Sequence, residues 1–195
     1  MTLPNLLTLS RIAFAFLLWP LLFWDFIWAK TFALAAFIVA SLTDLFDGQL
    51  ARRQKNITAF GAIMDPIADK VLILTVFFAF VRLGILPFWL ALVIFIREII
   101  VTLLRLWVIQ KGIVMPAQMA GKQKTVSQIV TIIYILVFLA IQSMAARYFP
   151  FWNPSLELFF LKSGFYLALL AMIFTLISGG AYLFDLQRSL VKRQK

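Results

Sequence analysis

The sequence predicts an all-α polytopic membrane protein with six transmembrane helices, and composition and apolar patterning carry that prediction. Of 195 residues, 64% are hydrophobic and 13% are charged, and the mean hydropathy is +1.00. Soluble proteins are close to half apolar and a quarter charged, so most of this chain must face lipid. A spanning helix needs about 20 apolar residues, so 195 residues supply roughly six spans and no separate aqueous domain.

Charged residues, prolines and glycines divide the apolar sequence into its elements. Pro4-Asn5 predicts a turn that leads into a short N-terminal interfacial segment. Charges separate the first three spans, and prolines lie at or near the later breaks. The predicted spans are residues 12–29, 31–46, 63–81, 85–109, 126–146 and 158–184. Without an internal repeat, residues 1–195 are predicted to form a single domain.

The net charge of +10 is explained by membrane orientation, with no need for a nucleic acid partner. With the N-terminus inside, the cytoplasmic segments hold eleven basic residues: Arg11, Arg52, Arg53, Lys55, Lys111, Lys122, Lys124, Arg188, Lys192, Arg193 and Lys195. The opposite side holds four: Lys30, Arg82, Arg147 and Lys162. This bias predicts a multi-pass membrane protein with both termini in the cytoplasm.

The absence of histidine and cysteine excludes several kinds of chemistry. Without cysteine there is no disulfide, thiolate nucleophile or thiolate metal site, and without histidine there is no Ser-His triad or imidazole ligand. Any catalysis must therefore use carboxylates, hydroxyls, lysine, arginine or a bound metal.

Half of the eight acidic residues lie between positions 44 and 69. Asp44 and Asp47 are three residues apart, and Asp65 and Asp69 are four apart, so each pair shares one face of a helix. The polar loop 52–60 is short enough to make the two helices antiparallel neighbours. The four carboxylates can therefore converge.

Four carboxylates at the membrane need a compensating positive charge, since each costs ~2.5–3.5 kcal/mol to insert. Lys70 and Arg52 could pair with two of them, but clusters of aspartate oxygens suit Mg²⁺ or Mn²⁺. Gly48 and Gly61 leave room for a ligand or a close helix. A buried ion-pair network and the cation site of a transporter are the alternatives, although a transporter favours helix breaks at mid-membrane over acids at cytoplasmic helix ends.

The motif Asp44-x-x-Asp47-Gly48-x-x-Ala51-Arg52, then eight residues, then Gly61-x-x-x-Asp65-x-x-x-Asp69 resembles the signature of the CDP-alcohol phosphatidyltransferase family. The resemblance implies a six-helix membrane enzyme, usually a homodimer, that holds two divalent metal ions on the diphosphate of a CDP-linked lipid. It implies metal ligation by Asp44, Asp47, Asp65 and Asp69, with Asp69 also the general base. It further implies a CDP-lipid site lined by Gly48, Ala51, Arg52 and Gly61.

A second polar region predicts an anion-binding pocket that faces the cytoplasm. Arg97 and Arg105 are eight residues apart, hence roughly on one helical face, and bases inside an apolar span need an anion. Glu98 alone cannot balance them, and Lys122 and Lys124 add further positive charge. Such a pocket suits the phosphate of a small substrate, although the two lysines could equally be membrane anchors.

These stretches, with Pro4-Asn5-x-x-Thr8-x-x-Arg11, resemble the bacterial CDP-diacylglycerol–glycerol-3-phosphate 3-phosphatidyltransferases within that family. Ser178-Gly179 and Tyr182 add a weaker resemblance to the same enzymes. The resemblance implies transfer of a phosphatidyl group from CDP-diacylglycerol to sn-glycerol 3-phosphate, with release of CMP. Arg97, Arg105, Lys122 and Lys124 would bind the acceptor phosphate. A cardiolipin synthase or another acceptor, a cation transporter, and a non-catalytic scaffold are the open alternatives.

Overall fold

The computed structural model describes residues 3–54, 59–110, 119–148 and 152–194. The side chains at 3–8, 44–54, 59–66, 69, 109, 119–120, 146–147 and 190–194 lie outside that description. The six helices are α1 (Leu3–Phe23), α2 (Ala29–Gln54), α3 (Ala59–Arg82), α4 (Phe88–Gln110), α5 (Met119–Tyr148) and α6 (Pro154–Gln194). No strand occurs in the described ranges, so the all-α prediction is confirmed there.

Polar contacts between helices establish how α5 and α6 are arranged. The Gln128 side chain donates to Thr175 at 3.0 Å, and Thr131 donates to the Leu167 carbonyl at 3.2 Å. Further along α5, Gln142 donates to Glu157 at 2.6 Å. As residue numbers rise on α5 they fall on α6, so the two helices are antiparallel.

α4 packs against α6 in the parallel sense. Arg97 contacts Ser178, and further along both helices Val108 clusters with Tyr182 and Leu186. α6 therefore has α5 on one side and α4 on another. This arrangement brings the polar residues of α4 and α5 towards a common helix.

The interior is built from large apolar side chains contributed by most of the helices. Leu18, Phe37, Phe77, Leu90 and Ile132 have less than 2% of their surface exposed, and they come from five helices. Because lipid tails are as apolar as these side chains, close van der Waals packing is what favours their contacts between helices. These contacts hold the helices in fixed register around the site.

The outer surface is apolar as well. Phe16, Leu103, Phe159 and Tyr166 are each more than 60% exposed. Large exposed apolar surfaces are unfavourable in water and typical of contact with lipid or another protein. The described surface is therefore suited to contact with lipid or with another protein.

Two helices contain stretches long and apolar enough to cross a bilayer. They are Gly121–Ala145 within α5 and Pro154–Ser189 within α6. In α4, three charged residues, Arg97, Glu98 and Arg105, interrupt the apolar sequence. The described residues thus contain six helices, and membrane spanning by the other four stays a prediction.

The prediction for the N-terminal region is wrong in two respects. α1 begins at Leu3, so Pro4-Asn5 forms no turn; proline is tolerated in the first turn of a helix, where its missing N–H has no partner to lose. α1 also ends at Phe23, within the predicted span 12–29. Residues 24–28 connect it to α2, and Lys30 donates to the Trp24 carbonyl at 2.8 Å across this connection.

The predicted direct pairing of α2 with α3 is not found in the described part of the chain. α1 packs extensively against both helices, and α2 packs further on α5. The short connection between α2 and α3 includes residues 55–58, which lie outside the description. The short connection predicted that α2 and α3 pack on each other, but it did not show that α1 packs against both of them.

Candidate active site

The four aspartates of the predicted metal site lie on two helices joined by a short connection. Asp44 and Asp47 are in the C-terminal half of α2, and Asp65 and Asp69 are in the N-terminal half of α3. Because the backbone is helical at all four positions, each pair lies about one turn apart on its helix. The spacing on which the prediction rests is therefore present in the backbone.

The side chains of these aspartates lie outside the described residues, as do those of Ala51 and Arg52 and the surroundings of Gly48 and Gly61. No group of three or more acidic side chains that could hold a metal ion occurs among the described side chains. The described side chains do not include those of the four aspartates. The metal site and the CDP-lipid site stay predictions.

Glu98 is the centre of the second predicted site. Its side chain is buried on α4, and its Oε1 atom lies 3.0 Å from Arg97 Nη1 and 2.5 Å from Lys124 Nζ on α5. Removing a carboxylate from water is expensive, and two basic partners are what makes such burial tolerable. Glu98 therefore ties together two of the four predicted phosphate-binding residues.

Arg97 is held from a third helix. Its Nη2 atom donates to Ser178 Oγ on α6 at 3.0 Å, while Nη1 binds Glu98. Its Nε atom is buried and has no hydrogen-bond partner among the described residues. The guanidinium thus has a defined orientation between α4 and α6.

Lys70 brings α3 close to the same cluster. Its positive charge acts electrostatically on the Glu98 carboxylate, in addition to the charges of Arg97 and Lys124. Arg97, Lys124 and Lys70 thus all act on one buried carboxylate. Because Lys70 directly follows Asp69 on α3, this basic cluster adjoins the helix that carries half of the predicted metal site.

Arg105 and Lys122 are not drawn into the Glu98 cluster. Arg105 is exposed two turns along α4, with its Cζ atom 5.7 Å from the centre of the Tyr182 ring. Lys122 is exposed in the first turn of α5 and forms no ion pair with a described side chain. The structure therefore brings together Arg97 and Lys124, and it places Arg105 and Lys122 separately.

From the sequence, Glu98 is expected only to be an inadequate counter-charge to the two arginines. Neither Glu98 nor Ser178 nor Gly179 is among the predicted site residues. A glutamate beside an arginine within an apolar helix was the available signal for Glu98. Arg97 contacts Ser178 and Gly179, which lie 81 and 82 positions further along the chain. No local sequence pattern predicts contacts over such a separation. In the sequence, Ser178-Gly179 belongs only to a weaker resemblance, and the fold shows that these residues contact Arg97.

Comparison with known proteins identifies the family. The family model for CDP-alcohol phosphatidyltransferases matches residues 1–177, so the chain belongs to that family. A Bacillus subtilis protein named CDP-diacylglycerol–glycerol-3-phosphate 3-phosphatidyltransferase is 33% identical over 192 residues, with 92% of each chain covered. A Salmonella typhimurium protein of the same name is 36% identical over 138 residues, which cover 68% of this chain and 75% of that protein.

A shorter alignment has a higher identity than these two. A Mycobacterium tuberculosis protein named "Probable phosphatidylglycerophosphate synthase" is 48% identical over 104 residues, or 53% of this chain. The match spans about half the length of that relative, 49%.

Proposed function

We propose that this protein transfers a phosphatidyl group from CDP-diacylglycerol to sn-glycerol 3-phosphate, forming phosphatidylglycerophosphate and releasing CMP. The observation that supports the proposal is the Glu98 cluster, where Arg97 and Lys124 meet one buried carboxylate in a chain that belongs to this family. The names of the relatives from Bacillus subtilis and Salmonella typhimurium support the same acceptor. The enzyme would work in the bacterial cytoplasmic membrane as a homodimer, with its site and both termini facing the cytoplasm.

The donor site would be formed by the ends of α2 and α3. Asp44, Asp47, Asp65 and Asp69 are oxygen donors only, and this donor set fits Mg²⁺ or Mn²⁺. Two such ions, when bound, would neutralise the diphosphate and polarise the phosphorus under attack. Gly48, Ala51, Arg52 and Gly61 would line the space for the cytidine diphosphate group.

Asp69 would accept the proton of the acceptor hydroxyl. The hydroxyl oxygen attacks the phosphorus that carries diacylglycerol, the bond from that phosphorus to the CMP oxygen breaks, and the proton goes to an Asp69 carboxylate oxygen. A carboxylate suffices as base because the hydroxyl is deprotonated only as it attacks. This chemistry needs neither histidine nor cysteine.

Arg97 and Lys124 would orient the acceptor through its phosphate. Both are held by Glu98, so their positive charges are in place before the substrate arrives. Arg105 and Lys122, at greater distance along α4 and α5, would attract and select the dianion. Holding the phosphate places the far hydroxyl of glycerol 3-phosphate for attack.

A panel of alcohols tests the proposal. Purified protein with CDP-diacylglycerol and Mg²⁺ is given glycerol 3-phosphate, serine, inositol phosphate or phosphatidylglycerol, and CMP release is measured. We expect release with glycerol 3-phosphate well above that with the others. Release with phosphatidylglycerol instead would make the protein a cardiolipin synthase, and ion movement across liposomes without CMP would make it a transporter.

A further inference from the structure

We propose that Gly179 is a positioning residue for the acceptor site, because the space left by its missing side chain seats the Arg97 side chain against α6. This inference rests on the proposed function, which makes Arg97 part of the acceptor site. It assigns to α6 a role in acceptor binding that acts through the position of the Arg97 side chain. We call this space the Gly179 notch.

The notch is defined by the distances around Gly179. The residue is buried, and a Cβ atom built on it would lie 3.0 Å from Arg97 Nε and 3.4 Å from Arg97 Cγ. The distance to Nε is shorter than ordinary van der Waals contact, which is about 3.5–4.0 Å between carbon atoms, and the distance to Cγ is at its lower limit. An alanine at this position requires Arg97 to move by a few tenths of an ångström.

Arg97 cannot move without disturbing its partners. Its Nη1 atom is bound to Glu98 and its Nη2 atom to Ser178, so both ends of the guanidinium are anchored. Glu98 in turn holds Lys124 of α5. A displacement at the notch is therefore transmitted to the second base of the acceptor site.

Gly179 is needed for close approach and not for backbone conformation. Gly84 is the one glycine with a positive φ among the described residues, and Gly179 lies within α6. Alanine is otherwise favoured over glycine inside a helix. A harmful Gly179→Ala substitution must therefore act through Arg97.

Gly180 supplies a matched control. It is the next residue of the same helix, and a Cβ atom built on it meets nothing within 4 Å. Gly179→Ala and Gly180→Ala thus make the same chemical change in the same helix. Only the first of them fills the notch.

The experiment measures KM for glycerol 3-phosphate and for CDP-diacylglycerol, kcat, and the thermal unfolding midpoint in both variants. A shift of a few tenths of an ångström should raise the glycerol 3-phosphate KM of Gly179→Ala about three- to sixfold, given that a misplacement of about 1 Å costs about 100-fold. The CDP-diacylglycerol KM and the unfolding midpoint should match those of Gly180→Ala. In an Arg97→Ala background, Gly179→Ala should have no further effect on the acceptor KM.

Three results would overturn the inference: an unchanged acceptor KM in Gly179→Ala, an equal rise of both KM values, or an equal loss in Gly180→Ala. If Gly179→Ala does not fold, Ser178→Ala tests the same seat, and an unchanged acceptor KM in that variant contradicts the inference. If the wild-type protein releases CMP with a different alcohol, the proposed function fails. The notch is then judged by the KM for that alcohol.

Discussion

Lys124 Nζ on α5 lies 2.5 Å from Glu98 Oε1 on α4, although α4 and α5 do not pack directly on each other in the described part of the chain. Both helices pack on α6, and the long lysine side chain spans the space between them. Arg97 completes the arrangement by contacting Glu98 and α6 at once. A buried charge cluster therefore connects three helices at the predicted acceptor site.

Glu98→Gln should destabilise the protein strongly. The substitution keeps the shape of the side chain and removes the negative charge between Arg97 and Lys124, and breaking a buried ion pair costs about 3–5 kcal/mol. Thermal unfolding in detergent measures the effect. The acceptor KM should rise as well, because both bases lose their anchor.

Glu157→Gln is the control for that variant. Glu157 accepts a hydrogen bond from the neutral Gln142 side chain at 2.6 Å, and a glutamine oxygen can replace that acceptor. We expect a loss below about 1.5 kcal/mol, the usual net value of a single hydrogen bond. Equal losses in the two variants would show that the Glu98 cluster has no special energetic role.

Arg105→Ala should raise the KM for glycerol 3-phosphate far more than the KM for CDP-diacylglycerol. Arg105 lies over the Tyr182 ring, and Arg188 lies over the Phe184 ring with its Cζ atom 4.3 Å from the centroid. Arg188→Ala therefore removes a similar cation–π contact outside the acceptor site. Equal rises of both KM values in Arg105→Ala, or the same acceptor effect in Arg188→Ala, would contradict the assignment.

Asp69→Asn should abolish turnover while the protein stays folded. An amide cannot accept the proton of the attacking hydroxyl and is a poorer ligand for a divalent ion. Asp25→Asn, at an exposed aspartate in the connection between α1 and α2, should retain full activity. An active Asp69→Asn protein would remove Asp69 from the role of general base.

Thr175→Val should cost more stability than Gln128→Leu. The Gln128 amide donates to Thr175 Oγ1 in the buried interface between α5 and α6, and Thr175 itself donates to the Ala171 carbonyl at 2.7 Å. Valine leaves the buried amide without this partner, at a cost of about 1–3 kcal/mol. The double variant should be no less stable than Thr175→Val, and additive losses measured by thermal unfolding would contradict this reading.

The helices could be predicted from the sequence because their apolar content is high, but their ends could not. The predicted span 31–46 stops at the first carboxylates, whereas α2 continues to Gln54. Polar residues end an apolar stretch without ending a helix, since the backbone hydrogen bonds continue through them. The first predicted span, residues 12–29, is too long for the opposite reason. It includes the apolar residues Trp24 and Trp28, which lie in a connection that is not helical.

The site could be predicted where a motif or a single helix encodes it. Arg97 and Arg105 were identified because charge is costly inside an apolar helix. The Glu98–Lys124 pair and the seating of Arg97 on Gly179 depend on which helices meet α6, and that information is spread over the whole chain. Long-range packing therefore supplied the part of the site that local patterns could not.

The most direct test of the central claim follows the lipid product together with CMP. Purified wild-type protein is incubated with CDP-diacylglycerol, glycerol 3-phosphate and Mg²⁺, and both products are quantified by mass spectrometry with and without a chelator. We expect equal amounts of CMP and phosphatidylglycerophosphate, neither of them in the presence of the chelator, and recovery when Mg²⁺ or Mn²⁺ is restored. CMP release that does not depend on glycerol 3-phosphate, or no CMP at all, would contradict the proposed function.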